Sequence, residues 1–284
     1  MSPRTLIAPS EMIDARRAWA RAGETVAFVP TMGALHAGHL SLVKQAKDAA
    51  RRVVVSIFVN PIQFGPSEDF AKYPRTLTQD VELMAPLAVD GVFLPSAATM
   101  YPDGFQTYVT NRTMSQGLCG ASRPGHFDGV LTVVLKLLNI VAPDVAIFGK
   151  KDYQQWRLIE QMARDLALPT TITGGAIVRE ADGLAMSSRN RYLSDSDRQL
   201  AARLNKGLHA ARDKYKAGVK QSAELIAAFQ QVAVVNGVAL EYAEVRRQAD
   251  LQPFAGEIDA PPVMLVAAKI GTTRLIDNLE LDQP

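Results

Sequence analysis

Cysteine is nearly missing from this 284-residue chain, and the single thiol, Cys119, excludes an intrachain disulfide and leaves no partner for a zinc cluster. A reducing compartment is the economical reading. An excess of charge of either sign is missing as well. The 31 Lys and Arg residues against 29 Asp and Glu give a net charge of +2. Basic runs stop at two residues, as at Arg51-Arg52 and Lys150-Lys151, so the electrostatic footprint of a nucleic-acid partner is weak. Long apolar runs are also scarce. The most apolar stretch, residues 130–142, is interrupted by Lys136 and Asn139 and falls short of the ~20 residues that span a bilayer. Residues 1–12 contain Pro3, Arg4, Pro9 and Glu11 in place of the apolar stretch of a signal peptide. The expectation is a cytoplasmic protein with neither a membrane nor a nucleic-acid partner.

What the chain does have suits a folded protein: 48% hydrophobic and 21% charged residues, with no repeat or low-complexity tract. At about 100 to 200 residues per domain the length suggests two domains. Through the first two thirds, β-branched runs at 26–30, 53–60, 92–95, 145–149 and 170–178 alternate with amphipathic segments at 11–22, 40–51, 77–89, 131–142 and 153–166. Gly23 is placed to close the first helix, and Thr76 with Gln79 fits a capping box at the third. Near-continuous apolar strands such as Val53-Val54-Val55-Ser56-Ile57-Phe58-Val59 suit a sheet covered on both faces. The pattern predicts an α/β, Rossmann-type doubly wound parallel sheet over residues 1–177. Beyond it the alternation stops. Helices at 195–217, capped by Ser194, and 222–236 precede strands at 240–246 and 263–270, which predicts a smaller C-terminal α+β domain, residues 178–284.

The most informative string is Pro30-Thr31-Met32-Gly33-Ala34-Leu35-His36-Ala37-Gly38-His39-Leu40, which leaves the first strand of the alternating series and enters a helix. Half of the chain's four histidines lie in it. Open α/β sheets bind ligands beyond the carboxyl ends of their strands, and a helix N-terminus there offers N–H groups and positive potential to an anion. Gly33 and Gly38 permit close backbone approach, and His36 and His39, three apart, can share one helix face. An ordinary strand-to-helix turn is an alternative reading, and so is a metal site, although no further ligand pattern accompanies the pair.

This string resembles the His-x-Gly-His nucleotidyltransferase superfamily and, in detail, its pantoate–β-alanine ligase family. Further matching stretches are Phe58-Val59-Asn60-Pro61-Ile62-Gln63-Phe64, Lys72-Tyr73-Pro74-Arg75-Thr76, His126-Phe127-Asp128-Gly129-Val130, Phe148-Gly149-Lys150-Lys151-Asp152-Tyr153-Gln154-Gln155 and Met186-Ser187-Ser188-Arg189-Asn190. The resemblance implies that ATP and (R)-pantoate form pantoyl adenylate with loss of pyrophosphate, and that β-alanine then displaces AMP. It implies small-molecule partners, Mg2+ accompanying ATP, and a homodimer.

Against that chemistry the resemblance implies catalytic roles for His39, His36, Lys151 and Arg189, with His39 the principal histidine. ATP is expected at Pro30, Met32, Gly33, Ala34, Leu35, His36, Ala37, Gly38 and His39, at Gly149, Lys150, Lys151 and Asp152, at Val178, and at Met186, Ser187, Ser188 and Arg189. Pantoate is expected at Gln63 and Gln155, with Asn60 and Tyr73 beside it. Read from the residues alone, several alternatives stay open. Lys151 could be a solvated surface lysine, Asp152 a helix cap before Tyr153, the Met186–Arg189 stretch a polar interdomain loop, and either glutamine an exposed polar residue. Val130, Val133, Val134 and Leu137 read as a core-facing helix stripe, which the resemblance would also place near pantoate's methyl groups. The 65–69 loop reads as a surface turn or a lid. Cys119, His126 and His209 receive no role.

Overall fold

The computed structural model describes residues 3–66 and 68–283. The chain divides into two compact units. The first comprises residues 1–115, 120–150 and 158–176, and the second residues 116–119, 151–157 and 177–284.

The first unit opens with strand β1 (Arg4–Leu6), helix α1 (Pro9–Arg21), β2 (Val26–Thr31), α2 (Ala37–Ala49) and β3 (Arg52–Ile57). After them come α3 (Leu77–Met84), β4 (Gly91–Phe93) and two short helices, α4 (Ala97–Met100) and α5 (Leu118–Ser122), of which α5 crosses the division. Helix α6 (His126–Val141), β5 (Val145–Gly149), α7 (Tyr153–Asp165) and β6 (Thr171–Gly175) complete it, with the division passing through α7. The six strands form one parallel sheet in the order β1-β4-β3-β2-β5-β6. This is the expected Rossmann-like sheet. From β2 the chain steps outward through β3 to β4, then returns to the other side of β2 for β5 and β6, so the topological switch point lies between β2 and β5. Burial on both faces explains the unbroken apolar strands: Val53, Val54, Val55, Ala27, Phe28 and Val29 are all fully buried. Helix α2 lies on β5 and β6 because Gly175 has no side chain to oppose Leu42, whose Cδ2 fills the place a Cβ would take.

The second unit carries α8 (Asp195–Lys216), α9 (Ser222–Ala233), β7 (Val238–Arg247), β8 (Pro262–Ile270) and β9 (Thr273–Glu280). Its sheet is antiparallel in the order β7-β8-β9, and the helix pair shares a core with it through Leu204, Leu208, Phe229, Met264 and Val266. Ser194 caps α8 as expected, its hydroxyl accepting the Asp197 N–H at 3.2 Å.

Several boundaries differ from the sequence reading. Helix α3 ends at Met84 because Pro86 forces a 3-10 turn over Ala85–Leu87. Thr76 is its N-cap but makes no capping bond, its hydroxyl donating instead to Asp80 at 3.2 Å. Helix α2 starts at Ala37, three residues before the expected start, because His36 caps it. Strand β3 ends at Ile57 before the Pro61–Gln63 3-10 turn, and α6 begins at His126, five residues ahead of the expected start. Strands β1 and β9 were not expected. Among the described residues no helix is long and apolar enough to cross a membrane.

Candidate functional site

The histidine string leaves the carboxyl end of β2, and Gly149-Lys150 leaves that of β5, so within the first unit both segments stand at the switch point. The turn between β2 and α2 is held by one buried anion. Asp80, on α3 and 1% exposed, accepts the backbone N–H of Leu35 at 2.8 Å and of Ala34 at 3.0 Å. The Gly33 N–H donates to Thr31 Oγ1 at 3.2 Å, and Thr31 in turn donates to the Ser56 carbonyl at 2.7 Å. Gly33 has φ +82°, and a Cβ there would stand 3.0 Å from both Asp80 Oδ2 and Ile57 Cγ2, so both conformation and space call for glycine.

The two histidines cap their own helix reciprocally. His36 Nδ1 accepts the Gly38 N–H at 3.2 Å, while His39 Nδ1 accepts the His36 N–H at 3.3 Å. The rings are in contact, tilted by 42° with centroids 4.1 Å apart. An Nδ1 that accepts leaves the ring proton on Nε2, so each imidazole is a donor at Nε2. The N–H groups of Gly38 and His39 are engaged inside the turn, the latter by the His36 carbonyl at 2.8 Å, which corrects the expectation of a first helical turn with its donors unpaired.

Gln63 lies in the same unit, in the 3-10 turn after β3. Its Oε1 accepts from Asn60 Nδ2 at 2.9 Å and its Nε2 reaches Met32 Sδ at 3.3 Å, which links the glutamine to the histidine string. Asn60 and Tyr73 are buried. Helix α6 comes against this turn backbone to backbone: a Cβ on Gly129 would lie 2.5 Å from the Ile62 carbonyl oxygen and 2.7 Å from Gln63 Cα. Val130, Val133, Val134 and Leu137 are buried on that helix. In the 65–69 loop, Ser67 lies outside the described residues. Glu68 forms a two-pronged ion pair with Arg123, at 2.6 and 2.7 Å. Burial would raise the Glu68 carboxyl, but the Arg123 guanidinium outweighs it and holds the pKa below the usual value of 4.5.

Within the second unit, Lys151, Asp152 and Gln155 sit at the start of α7, with Asp152 exposed and the other two half-buried. This corner is fastened by β9. Asn278 Nδ2 donates to the Lys151 carbonyl at 2.9 Å, and the Tyr153 hydroxyl donates to Glu280 at 2.9 Å. Val178 and Met186 face each other across a turn, the Met186 N–H donating to the Val178 carbonyl at 3.0 Å. Ser187 caps the following 3-10 turn by accepting the Arg189 N–H at 3.3 Å. Asn190 donates to Glu180 at 2.7 Å and to the Ala185 carbonyl at 3.1 Å, which closes the Met186–Arg189 stretch on itself.

The first unit therefore brings Met32 to His39 together with Asn60 and Gln63, and the second pairs Val178 with Met186 and orders Ser187 to Arg189. Sequence reasoning missed Asp80 and Asn278, and with them Tyr101, whose hydroxyl donates to Asn60 Oδ1 at 2.7 Å, and His126, whose Nδ1 lies 2.9 Å from the Gln63 carbonyl oxygen. Asp80 had a signal: it lies four residues before the fully buried Met84 on α3, and a carboxylate on a buried helix face needs partners. Among the described residues no group of three or more His, Cys, Asp or Glu side chains could hold a metal ion.

The sequence profile of the pantoate-β-alanine ligase family matches residues 4–280. A pantothenate synthetase of Heliobacterium modesticaldum is 49% identical over 276 residues, covering 96% of this chain and 97% of the relative, and one of Xanthomonas campestris is 52% identical over 267 residues, covering 92% and 94%. The crystal structure of pantothenate synthetase from Thermus thermophilus superposes with a TM-score of 0.92 at 42% identity over 98% of this chain and 99% of that one. A pantoate-β-alanine ligase from Francisella tularensis, crystallised with β-γ ATP and β-alanine, gives 0.82 at 35% identity over 99% of both chains. Matched in sequence and in fold across nearly its whole length, the chain belongs to the pantoate–β-alanine ligase family.

Proposed function

We propose that this chain joins (R)-pantoate to β-alanine in two steps at the expense of ATP. In the first, a pantoate carboxylate oxygen attacks the α-phosphorus of ATP, the bond to the β-phosphate oxygen breaks, and pyrophosphate leaves. In the second, the β-alanine amine attacks the acyl carbon of pantoyl adenylate, the bond to the phosphate oxygen breaks, and AMP leaves with the electron pair while the amine nitrogen sheds a proton. Both reactants of the first step are anions, so the site must supply donors and positive charge rather than a covalent nucleophile. The observation that carries this reading is the family match over residues 4–280.

In this reading His39 donates from Nε2 to the α-phosphate in the adenylation transition state, and His36 assists. Lys151 and Arg189 steady the departing pyrophosphate. ATP lies along Pro30, the Met32–His39 string, Gly149 to Asp152, Val178 and Met186 to Arg189. Gln63 and Gln155 hold pantoate, beside Asn60 and Tyr73, since a neutral amide binds a carboxylate without quenching its nucleophilicity in an ion pair. In this reading residues 1–177 form the ATP- and pantoate-binding domain and residues 178–284 a C-terminal lid domain. Mg2+ would enter on the phosphates of ATP and offset their charge. Such ions keep several waters and use only one or two carboxylates. A homodimer in the cytoplasm is proposed on the resemblance.

Pantoate labelled with 18O in its carboxylate tests the chemistry. Transfer of one label into AMP is expected; AMP free of label would remove the adenylate.

A further inference from the structure

Gln63 is held at both ends of the residue, and we propose that His126 and Tyr101 are positioning residues that aim its carboxamide at pantoate. The inference rests on the assignment of Gln63 to pantoate made above. At the backbone end, His126 Nδ1 lies 2.9 Å from the Gln63 carbonyl oxygen, and Arg123 Nη1 lies 2.8 Å from His126 Nε2. A guanidinium only donates, so Nε2 accepts and the ring proton is on Nδ1, from which it is donated to Gln63. Arg123 is itself fixed by the Glu68 carboxylate at 2.6 and 2.7 Å. The chain Glu68, Arg123, His126, Gln63 thus runs from the 65–69 loop to the glutamine's main chain.

At the side-chain end, the Tyr101 hydroxyl donates to Asn60 Oδ1 at 2.7 Å. The Gly129 carbonyl, which only accepts, takes a hydrogen bond from Asn60 Nδ2 at 3.1 Å, so the amide has one orientation: Tyr101 steadies it at Oδ1, and Nδ2 also donates to Gln63 Oε1 at 2.9 Å. Asn60 is 1% exposed and His126 8%, so neither can exchange these partners for water without local opening. Burial also pushes the Tyr101 phenol above its usual range, which keeps it a donor.

With Oε1 occupied, Gln63 presents its NH2 group. The partner this group has is the Met32 thioether at 3.3 Å, a weak acceptor that a carboxylate or hydroxyl oxygen of pantoate can replace. Loss of Tyr101 loosens Asn60 and loss of His126 loosens the Gln63 main chain, so the NH2 group is aimed less tightly at the acceptor it is to meet. The device selects an acceptor-bearing acid at this position.

Steady-state kinetics of Tyr101→Phe, His126→Ala, His126→Asn and Gln63→Ala, alone and paired, test this. Tyr101→Phe and His126→Ala should each raise the KM for pantoate about tenfold, the scale of one net hydrogen bond. The KM for ATP should stay within about twofold, because only pantoate meets the amide. His126→Asn, which keeps a donor near the place of Nδ1, should recover most of the loss. In a Gln63→Ala background neither change should have further effect on pantoate. Equal losses for pantoate and ATP, or full additivity with Gln63→Ala, would overturn the positioning role while leaving Gln63 at pantoate. An unchanged pantoate KM in Gln63→Ala itself would remove the assignment on which the inference rests. Tyr101→Phe deletes a single hydroxyl, so the test stands even if His126→Ala does not fold.

Discussion

The Asp80 carboxylate lies 2.8 Å from the backbone nitrogen of Leu35, and through this bond a buried anion on α3 sets the entry of the turn that carries both histidines. Its other oxygen accepts from Ala34, so the charge is spread over two peptide donors and the Thr76 hydroxyl. Asp80→Asn turns an NH2 group toward an N–H. The expected cost is about 1 to 3 kcal/mol for the buried donor left unmatched. Urea unfolding measures it, and a parent-like midpoint would show that the turn does not depend on this carboxylate.

His39→Ala should separate chemistry from stability. Loss of a preorganised donor costs about 100- to 1,000-fold in rate, whereas loss of a helix cap costs about 1 kcal/mol. Single-turnover formation of pantoyl adenylate alongside thermal unfolding checks both. Unfolding with retained activity would make His39 a structural residue only.

Gly129→Ala forces a methyl group against Ile62 and Gln63, whose backbones cannot retreat as a flexible side chain would. Overpacking of this kind costs about 1 to 3 kcal/mol. Because the displaced residue is Gln63, the pantoate KM should rise as well. Calorimetry and steady-state kinetics on one preparation test the pair of effects, and a stable variant with parent-like KM would contradict the close approach.

Glu68 gives an acid-side prediction. Its carboxyl is held below 4.5 in the folded chain, so the stability it contributes is fully present above the unfolded-state pKa and fades as pH falls through the folded one. The stability gap between the parent and Glu68→Gln should therefore be largest near neutrality and shrink below about pH 4.5, near the free carboxyl value. Unfolding midpoints from about pH 7 to about pH 3 span that window. A gap that widens on acidification would contradict the Arg123 pairing.

Much of the architecture was readable from local pattern. The alternation of Val53-rich strands with amphipathic helices predicts the parallel sheet because burial on both faces demands apolar residues at successive positions. Edge elements were less visible. Strand β1 has only three residues, and β9 reads Thr-Arg-Leu-Ile-Asp-Asn-Leu-Glu, where Asp277 and Asn278 are buried against Arg179 and Lys151 by partners far along the chain. The same limit applies to the site. The Met32–His39 string announces itself through composition and place, whereas Asp80, Tyr101 and His126 matter through partners 41 to 63 positions away, a separation no local pattern encodes. The extra early turn of α2 was missed for a related reason: histidine is not a usual cap, and here His36 becomes one by accepting the Gly38 N–H at Nδ1.

The most direct test of the account is exchange of labelled pyrophosphate into ATP, with pantoate present and β-alanine absent. The account predicts exchange that requires pantoate, slows about 100- to 1,000-fold in His39→Ala, and gives way to AMP release when β-alanine is added. A folded, ligation-competent preparation that shows no exchange, or that exchanges equally well without pantoate, would contradict it.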